Sequence, residues 1–454
     1  MPPNNERLEN IATAKIPSLL LQYSIPAIVA MSVEALYNIT DRFFVGQTVG
    51  HLGIAGIALC FPISIFIMAM SMMIGVGGNT LFAIRLGAKK NTQAAIILNN
   101  SLILLLVAAL LALVFGQLFM EPLLIMFGAS DETLPYASSF LRILLIGAPF
   151  QTITPGMNQF IRSMGYPKTA MLRSLIGAGC NIFFDWLFLF QFGWGIQGAA
   201  CATVISQLIA GLFILHFFVS KDTPVKIQRR YMRLRFSYVR RIIIMGLPQS
   251  TMQFLNSFMN VILNKSLVFY GAKTAYGGDL AVSAFGIVNG VAMMLVMPIL
   301  GFVQGSQPLL SYNYGAGEFS RVKRVVRYTL GFSTAMMTVA LITVQLAAPY
   351  IAGAFVKDHS QLFELATTSI RTFLIALPCT AISVVSGQFF QGIGKPMTAL
   401  VLTLNRQVFF LIPLLLIIPL SQGLNGIFMA TPIADTIAAL VGSVLLMRQL
   451  RKMK

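Results

Sequence analysis

Apolar residues run along this chain in long blocks, and polar residues collect in the short intervals between them. A helix needs about 20 apolar residues to cross ~30 Å of hydrocarbon, and blocks of that length recur twelve times. The predicted spans are 16–45, 52–80, 94–118, 134–157, 167–190, 195–219, 239–269, 280–310, 323–346, 364–388, 396–420 and 424–447. Composition agrees, at 57% hydrophobic and 10% charged residues, with mean hydropathy +0.80. No soluble domain of 454 residues hides that much apolar surface. The expected class is an all-α integral membrane protein of twelve transmembrane helices.

The chain also repeats itself. NQFIRSMGYPKTA at 158–170 aligns with GQFFQGIGKPMTA at 387–399, pairing Gln159 with Gln388, Gly165 with Gly394 and Pro167 with Pro396. Gly195 and Gly198 match Gly423 and Gly426, Gly87 matches Gly315, and Ile25-Pro26 matches Leu247-Pro248. The reading is two six-helix bundles of the same orientation, related by a pseudo-two-fold axis along the membrane normal, a plan associated with alternating access. The expected segments are a cytoplasmic start at 1–15, an N-terminal lobe at 16–220, a basic linker at 221–238, a C-terminal lobe at 239–447 and a tail at 448–454.

A net charge of +18 first suggests nucleic acid. Most Lys and Arg, however, fall in alternate loops, including Arg85 to Lys90, Arg162 to Arg173, Lys221 to Arg241, Arg321 to Arg327 and Arg448 to Lys454. That is the positive-inside pattern. It accounts for the basicity without nucleic acid and puts both termini in the cytoplasm of a plasma (inner) membrane protein. Met1 to Lys15 lacks the apolar core of a cleavable signal. Cys60, Cys180, Cys201 and Cys379 all lie in apolar spans without metal-ligand spacing and are expected to stay free.

Two carboxylates break the apolar pattern. Asp41 closes the first span and Asp185 sits in the fifth, within NIFFDWLFLF at 181–190. An ionisable group at membrane depth marks a functional site by default. Glu34, Asn38 and Asp41 share a helix face, Tyr37 reaches that side, and Pro26 removes a backbone donor and invites a bend. Asn181 and Asp185 are one turn apart. With Thr203 and Tyr37 they form an oxygen-rich set suited to a proton or a hard cation, with Na+ at Asp41, Asn181 and Asp185 as the metal version. By repeat alignment Asp185 corresponds to Leu414 and Asn181 to Phe410, so the acidic set belongs to the first half only.

These residues, with GMNQFIRSMGYPKTA at 156–170, FFQGIGKP at 389–396 and LNRQVFFLIPL at 404–414, resemble the multidrug and toxic compound extrusion (MATE) family over nearly the whole chain. Within it they look like the DinF-like branch with its MepA-like members. The resemblance implies a cation-coupling site at Tyr37, Asp41, Asn181, Asp185 and Thr203, with Glu34, Asn38 and Asn158 as accessory candidates. It implies efflux of amphipathic, mostly cationic organic compounds in exchange for H+ or Na+, with no cofactor. A related branch places acids in the seventh and tenth spans; this chain has none there.

In the second half, Gln253, Asn256 and Asn260 form a polar stripe, and with Gln388 and Arg406 they are the candidate cavity residues. Arg406 either faces the cavity or pairs with Asp435; the pair is favoured because a buried cation needs a counter-charge. Glycines 75, 77 and 78 read as close-packing positions, since no phosphate-loop lysine follows. The rival function is a lipid-linked precursor flippase of the same superfold, which would need several open cavity cations. No nucleophile–base or metal set argues for an enzyme. A monomer in the bilayer, binding small-molecule drugs, is the expected working form.

Overall fold

The computed structural model describes residues 4–219, 223–356 and 361–453. Twelve helical spans follow one another. They are α1 (Ile16–Thr48), α2 (His51–Gly87), α3 (Asn91–Leu118), α4 in two segments (Leu134–Ile146 and Ala148–Ser163), α5 (Pro167–Gln191) and α6 (Gly195–Val219). Then come α7 (Phe236–Gly271), α8 (Gly277–Gly315), α9 (Phe319–Phe355), α10 in two segments (Gln361–Phe373 and Leu377–Gly392), α11 (396–422) and α12 (423–452). Eight helices of the described residues cross a membrane by length and apolarity alone, and the pair forming α10 makes a ninth. One of the eight, Pro396–Lys452, runs for 57 residues, about 85 Å as a straight helix. Gly423 breaks it at φ 57°, ψ −136°, giving α11 and α12. The remaining two are α4, half of which is polar, and α7, diluted by Gln253, Asn256, Asn260 and Lys265. The twelve-helix expectation is met, and the predicted limits fall within a few residues at most ends.

The duplicated motifs turn out to be backbone punctuation. Gly165 and Gly394 both sit at positive φ, 92° and 76°, immediately before helices that open on Pro167 and Pro396. Glycine ends a helix in the left-handed region without Cβ strain, and proline starts the next with a preset φ and no orphan donor. Gly195 and Gly423 share φ 57° at the entries to α6 and α12. Pro149 and Pro378 stand at the breaks of α4 and α10, at the offset that relates the two halves. The repeat therefore preserves where the chain turns.

The chain forms two compact units, Met1–Ser250 with Ser311–Glu318, and Thr251–Leu310 with Phe319–Lys454. The first contains α1 to α6, the start of α7 and the end of α8; the second contains the rest of both helices and α9 to α12. In the first unit α1 packs on α5, α2 on α3 and α4, and α5 on α6. Backbones approach closely on α2, where Gly75 meets Gly156 and Gly78 meets Ser101 and Phe160. Gly77 lies against the backbone at Ile242 and Gly246, and Gly87 against Tyr312. These are the small-residue contacts the glycine run predicts, because lipid offers no hydrophobic drive and packing must come from close approach. The second unit is cored by Leu267, Phe285, Leu415 and Phe428, and by Val288, Ile299, Met337 and Ile370. All four cysteines are free.

Candidate functional site

The pairing of α1 with α5 builds the site. Both Asp185 and Asn181 face inward, 0% and 2% exposed, on the same side of α5. Asp185 is the last residue of the regular α-helix; Trp186–Gln191 continues as a π-helix, a wider turn often found at functional positions. Phe188 stacks on Phe184 and Trp194 there, so aromatic surface holds the widened turn.

Opposite Asp185 lies Asp41 of α1, the two carboxyls within hydrogen-bonding range of one another. Among the described residues neither oxygen of Asp185 meets an N–H or O–H donor, and neither polar atom of Asn181 has a hydrogen-bond partner. Two carboxylates facing each other repel when both are ionised. One proton shared between them, or a cation held by them, turns that repulsion into an attraction. The phenol of Tyr37 is within electrostatic range of Glu34, Asp41, Arg173 and Asp185.

The remaining N-terminal candidates divide. Thr203 is half-buried on α6, beside α5, and its carbonyl accepts the Ser206 hydroxyl at 2.8 Å. Asn158 is 2% exposed on α4, with its Oδ1 unpartnered. The side chain of Asn38 lies outside the described residues. Pro26 sits within a continuous α1. Glu34 is tied elsewhere: one Oε1 accepts the Arg173 Nη1–H and the Ser174 hydroxyl, both at 3.1 Å. Charge counting assigned Arg162 and Arg173 to the cytoplasmic edge, yet each is only 6% exposed. Loop charge cannot reveal this, because a base near a helix end reads the same whether it faces water or a neighbouring helix. The Arg173–Glu34 bridge is the residue pair that sequence reasoning missed.

In the second unit the polar stripe is engaged within the protein. Asn256 Oδ1 accepts from Gln407 Nε2 at 2.7 Å, and its carbonyl accepts from Asn260 Nδ2 at 2.9 Å. Gln253 is half-buried. Gln388 lines a small cleft with Ser306, Gln307 and Thr329, and among the described residues its Oε1 is unpartnered. Of the two alternatives for Arg406, the ion pair is the one formed: its Nε–H donates to Asp435 Oδ1. Thr380 Oγ1 donates to Asp435 Oδ2 at 2.7 Å. A second π-helix, Asn405–Leu411, carries this cluster, turning Arg406 to α12 and its neighbour Gln407 to α7. Among the described residues no group of three His, Cys, Asp or Glu side chains gathers as a metal site.

The sequence profile of the MatE family matches residues 26–187 and 248–417, covering both halves of the duplication. The multidrug export protein MepA of Staphylococcus aureus (strain MRSA252) is 24% identical over 97% of this chain and 96% of its own length. A multidrug resistance MATE family transporter of the MOP superfamily, solved in an outward-facing conformation, superposes with TM-score 0.90 at 27% identity over 98% of both chains. A MATE crystal structure in a bent conformation gives TM-score 0.91 at 26% identity with the same coverage. With that agreement along both halves, the chain belongs to the MatE family of membrane-embedded multidrug efflux transporters, not enzymes.

Proposed function

We propose that this protein is a secondary active antiporter that expels amphipathic, mostly cationic organic compounds by alternating access. Its coupling site is Asp41 and Asp185, with Tyr37, Asn181 and Thr203 as supporting oxygen and amide groups. The observation that carries the reading is the meeting of two carboxyls inside one unit, where among the described residues neither oxygen of Asp185 has a hydrogen-bond partner. Multidrug export is the recorded activity of the staphylococcal relative and supports the substrate class. Binding of a cation to the pair cancels its repulsion and draws α1 toward α5; Pro26 leaves α1 short of one backbone hydrogen bond, which makes bending there cheap.

Direct apposition of the two carboxyls suits a shared proton as the coupling ion. A hydrogen bond joins carboxyl oxygens at about 2.5–2.7 Å, whereas Na+, a hard cation, would need several oxygen ligands arranged around it. One inward charge contributes ~2.3 kcal/mol per 100 mV, and each pH unit about 1.4 kcal/mol. Exchange of one proton for one monovalent drug therefore leaves only the pH gradient as the drive. The flippase alternative gains no support, because Arg406 and Arg173 are already neutralised by Asp435 and Glu34. The basic loops put both termini on the cytoplasmic face of the plasma membrane, and the internal duplication lets a monomer supply both halves. The test is ethidium efflux from proteoliposomes under an imposed pH gradient: Asp41→Asn or Asp185→Asn should abolish uphill movement, and unimpaired movement in either would refute the assignment.

A further inference from the structure

Residues 228–235, which lead into α7, are held to a fixed shape. Two adjacent asparagines of α3, Asn99 and Asn100, are both 0% exposed. Asn99 Oδ1 accepts the Gln228 backbone N–H at 3.0 Å, and Asn100 Oδ1 accepts that of Arg235 at 2.9 Å. Each amide also donates to its own helix, to the carbonyls of Ala95 and Ile96 at 2.8 Å. Both side chains are thereby locked. A polar pair buried in an apolar helix costs free energy unless it is satisfied, and here the segment supplies the N–H donors that satisfy the two side-chain oxygens. The Arg229–Tyr231 turn lies between the two tether points.

The tether displays a defined surface. From Arg229 to Phe236 the residues read Arg-Arg-Tyr-Met-Arg-Leu-Arg-Phe, and Arg240 and Arg241 follow one turn into α7. All six arginines are exposed. So are Met232 at 39%, Leu234 at 48% and Phe236 at 81%. No carboxylate occurs from Thr223 to Ser250, and among the described residues none of the six arginines is in an ion pair. Loop charge alone would satisfy the positive-inside bias in any conformation. It does not explain why a buried tether fixes the backbone, nor why large apolar side chains stand exposed between the arginines.

We propose that this segment is a binding surface for anionic phospholipid headgroups of the leaflet on its own side. Arginine forks match phosphate geometry. Met232, Leu234 and Phe236 supply the apolar partners that an interfacial element buries at the headgroup–acyl boundary. Because the segment connects two spans, the bilayer surface lies beside it at all times, which selects lipid over a soluble polyanion.

The experiment uses the full-length protein in bilayer discs of equal parts phosphatidylglycerol and phosphatidylcholine, with lipids retained through mild extraction quantified by mass spectrometry. Each arginine near an anionic surface is worth about five-fold in partitioning. Wild type should enrich phosphatidylglycerol, and R229Q/R230Q/R233Q should lose at least ten-fold of that enrichment. R448Q/R451Q/K452Q, an equal charge change in the tail, should not. N99A/N100A keeps every charge but frees the backbone, and should also lose enrichment; full retention would overturn the tether's part. Equal enrichment in wild type and the arginine variant, or equal loss from the tail variant, would overturn the surface itself. The arginine variant touches only exposed side chains, so the test stands even if the asparagine variant does not fold.

Discussion

Asp41 and Asp185, brought from the first and fifth spans, meet carboxyl to carboxyl in the interior of one unit, with no donor among the described residues offered to either oxygen of Asp185. Structure alone gains nothing from such a pair, since two facing acceptors cost energy in every state that lacks a cation between them. Replacing either acid by its amide should therefore leave the fold intact or raise its thermal midpoint. Coupled efflux should fall at least ten-fold in Asp41→Asn and in Asp185→Asn. Thermal unfolding of purified variants, read beside the transport assay, separates lost coupling from lost structure.

Coupling by a proton has its own signature. In sodium-free proteoliposomes, an inward pH gradient should drive ethidium out, and adding sodium at constant pH should leave the rate unchanged. A strict requirement for sodium would instead demand that the two carboxyls separate to admit a coordinated ion.

The Glu34–Arg173 bridge predicts an asymmetric response. Arg173 is the buried partner, with a side chain 7% exposed, against 45% for Glu34. Glu34→Ala strands a cation inside, whereas Arg173→Met leaves an acid that water can reach. Exposure of Glu34 reduces the cost below the ~3–5 kcal/mol of a fully buried broken pair, to about 1–2 kcal/mol for Glu34→Ala and less for Arg173→Met. Chemical unfolding in detergent compares the two.

For Arg406 and Asp435 the exposures are reversed, 25% and 7%. Arg406→Met should destabilise by a few kcal/mol, because among the described residues Asp435 then keeps only the Thr380 hydroxyl. The double variant Arg406→Met/Asp435→Leu should recover much of that loss, and a double-mutant cycle measures the coupling.

Glycine positions offer a test of packing. A Cβ on Gly246 would run into the Met73 backbone, and one on Gly77 into that of Ile242. Gly246→Ala should cost about 1–3 kcal/mol by overpacking. Gly331→Ala, in the middle of α9 with open space around it, should instead stabilise by up to ~1 kcal/mol through helix propensity. Opposite signs for the same substitution are the expected result.

The spans, the duplication and the two acids were all legible in the chain. Each is written in local terms: block length against bilayer thickness, a repeated Gly–Pro junction, a carboxylate where lipid tolerates none. The glycine run was legible too, because only residues without side chains let helices approach closely without a hydrophobic drive. What the chain could not announce were the partners. Arg173 reads as one more loop-edge base until α1 is laid against α5 and Glu34 meets it. Arg406 kept two readings until a π-turn aimed it at Asp435. Nothing in the basic run from Lys226 to Arg241 says that Asn99 and Asn100, more than a hundred residues earlier, hold it in place. Helix formation and membrane insertion depend on neighbouring residues and so can be read in order. Which polar group satisfies which buried one depends on helix rotation and crossing, and those are fixed only when all the helices pack at once.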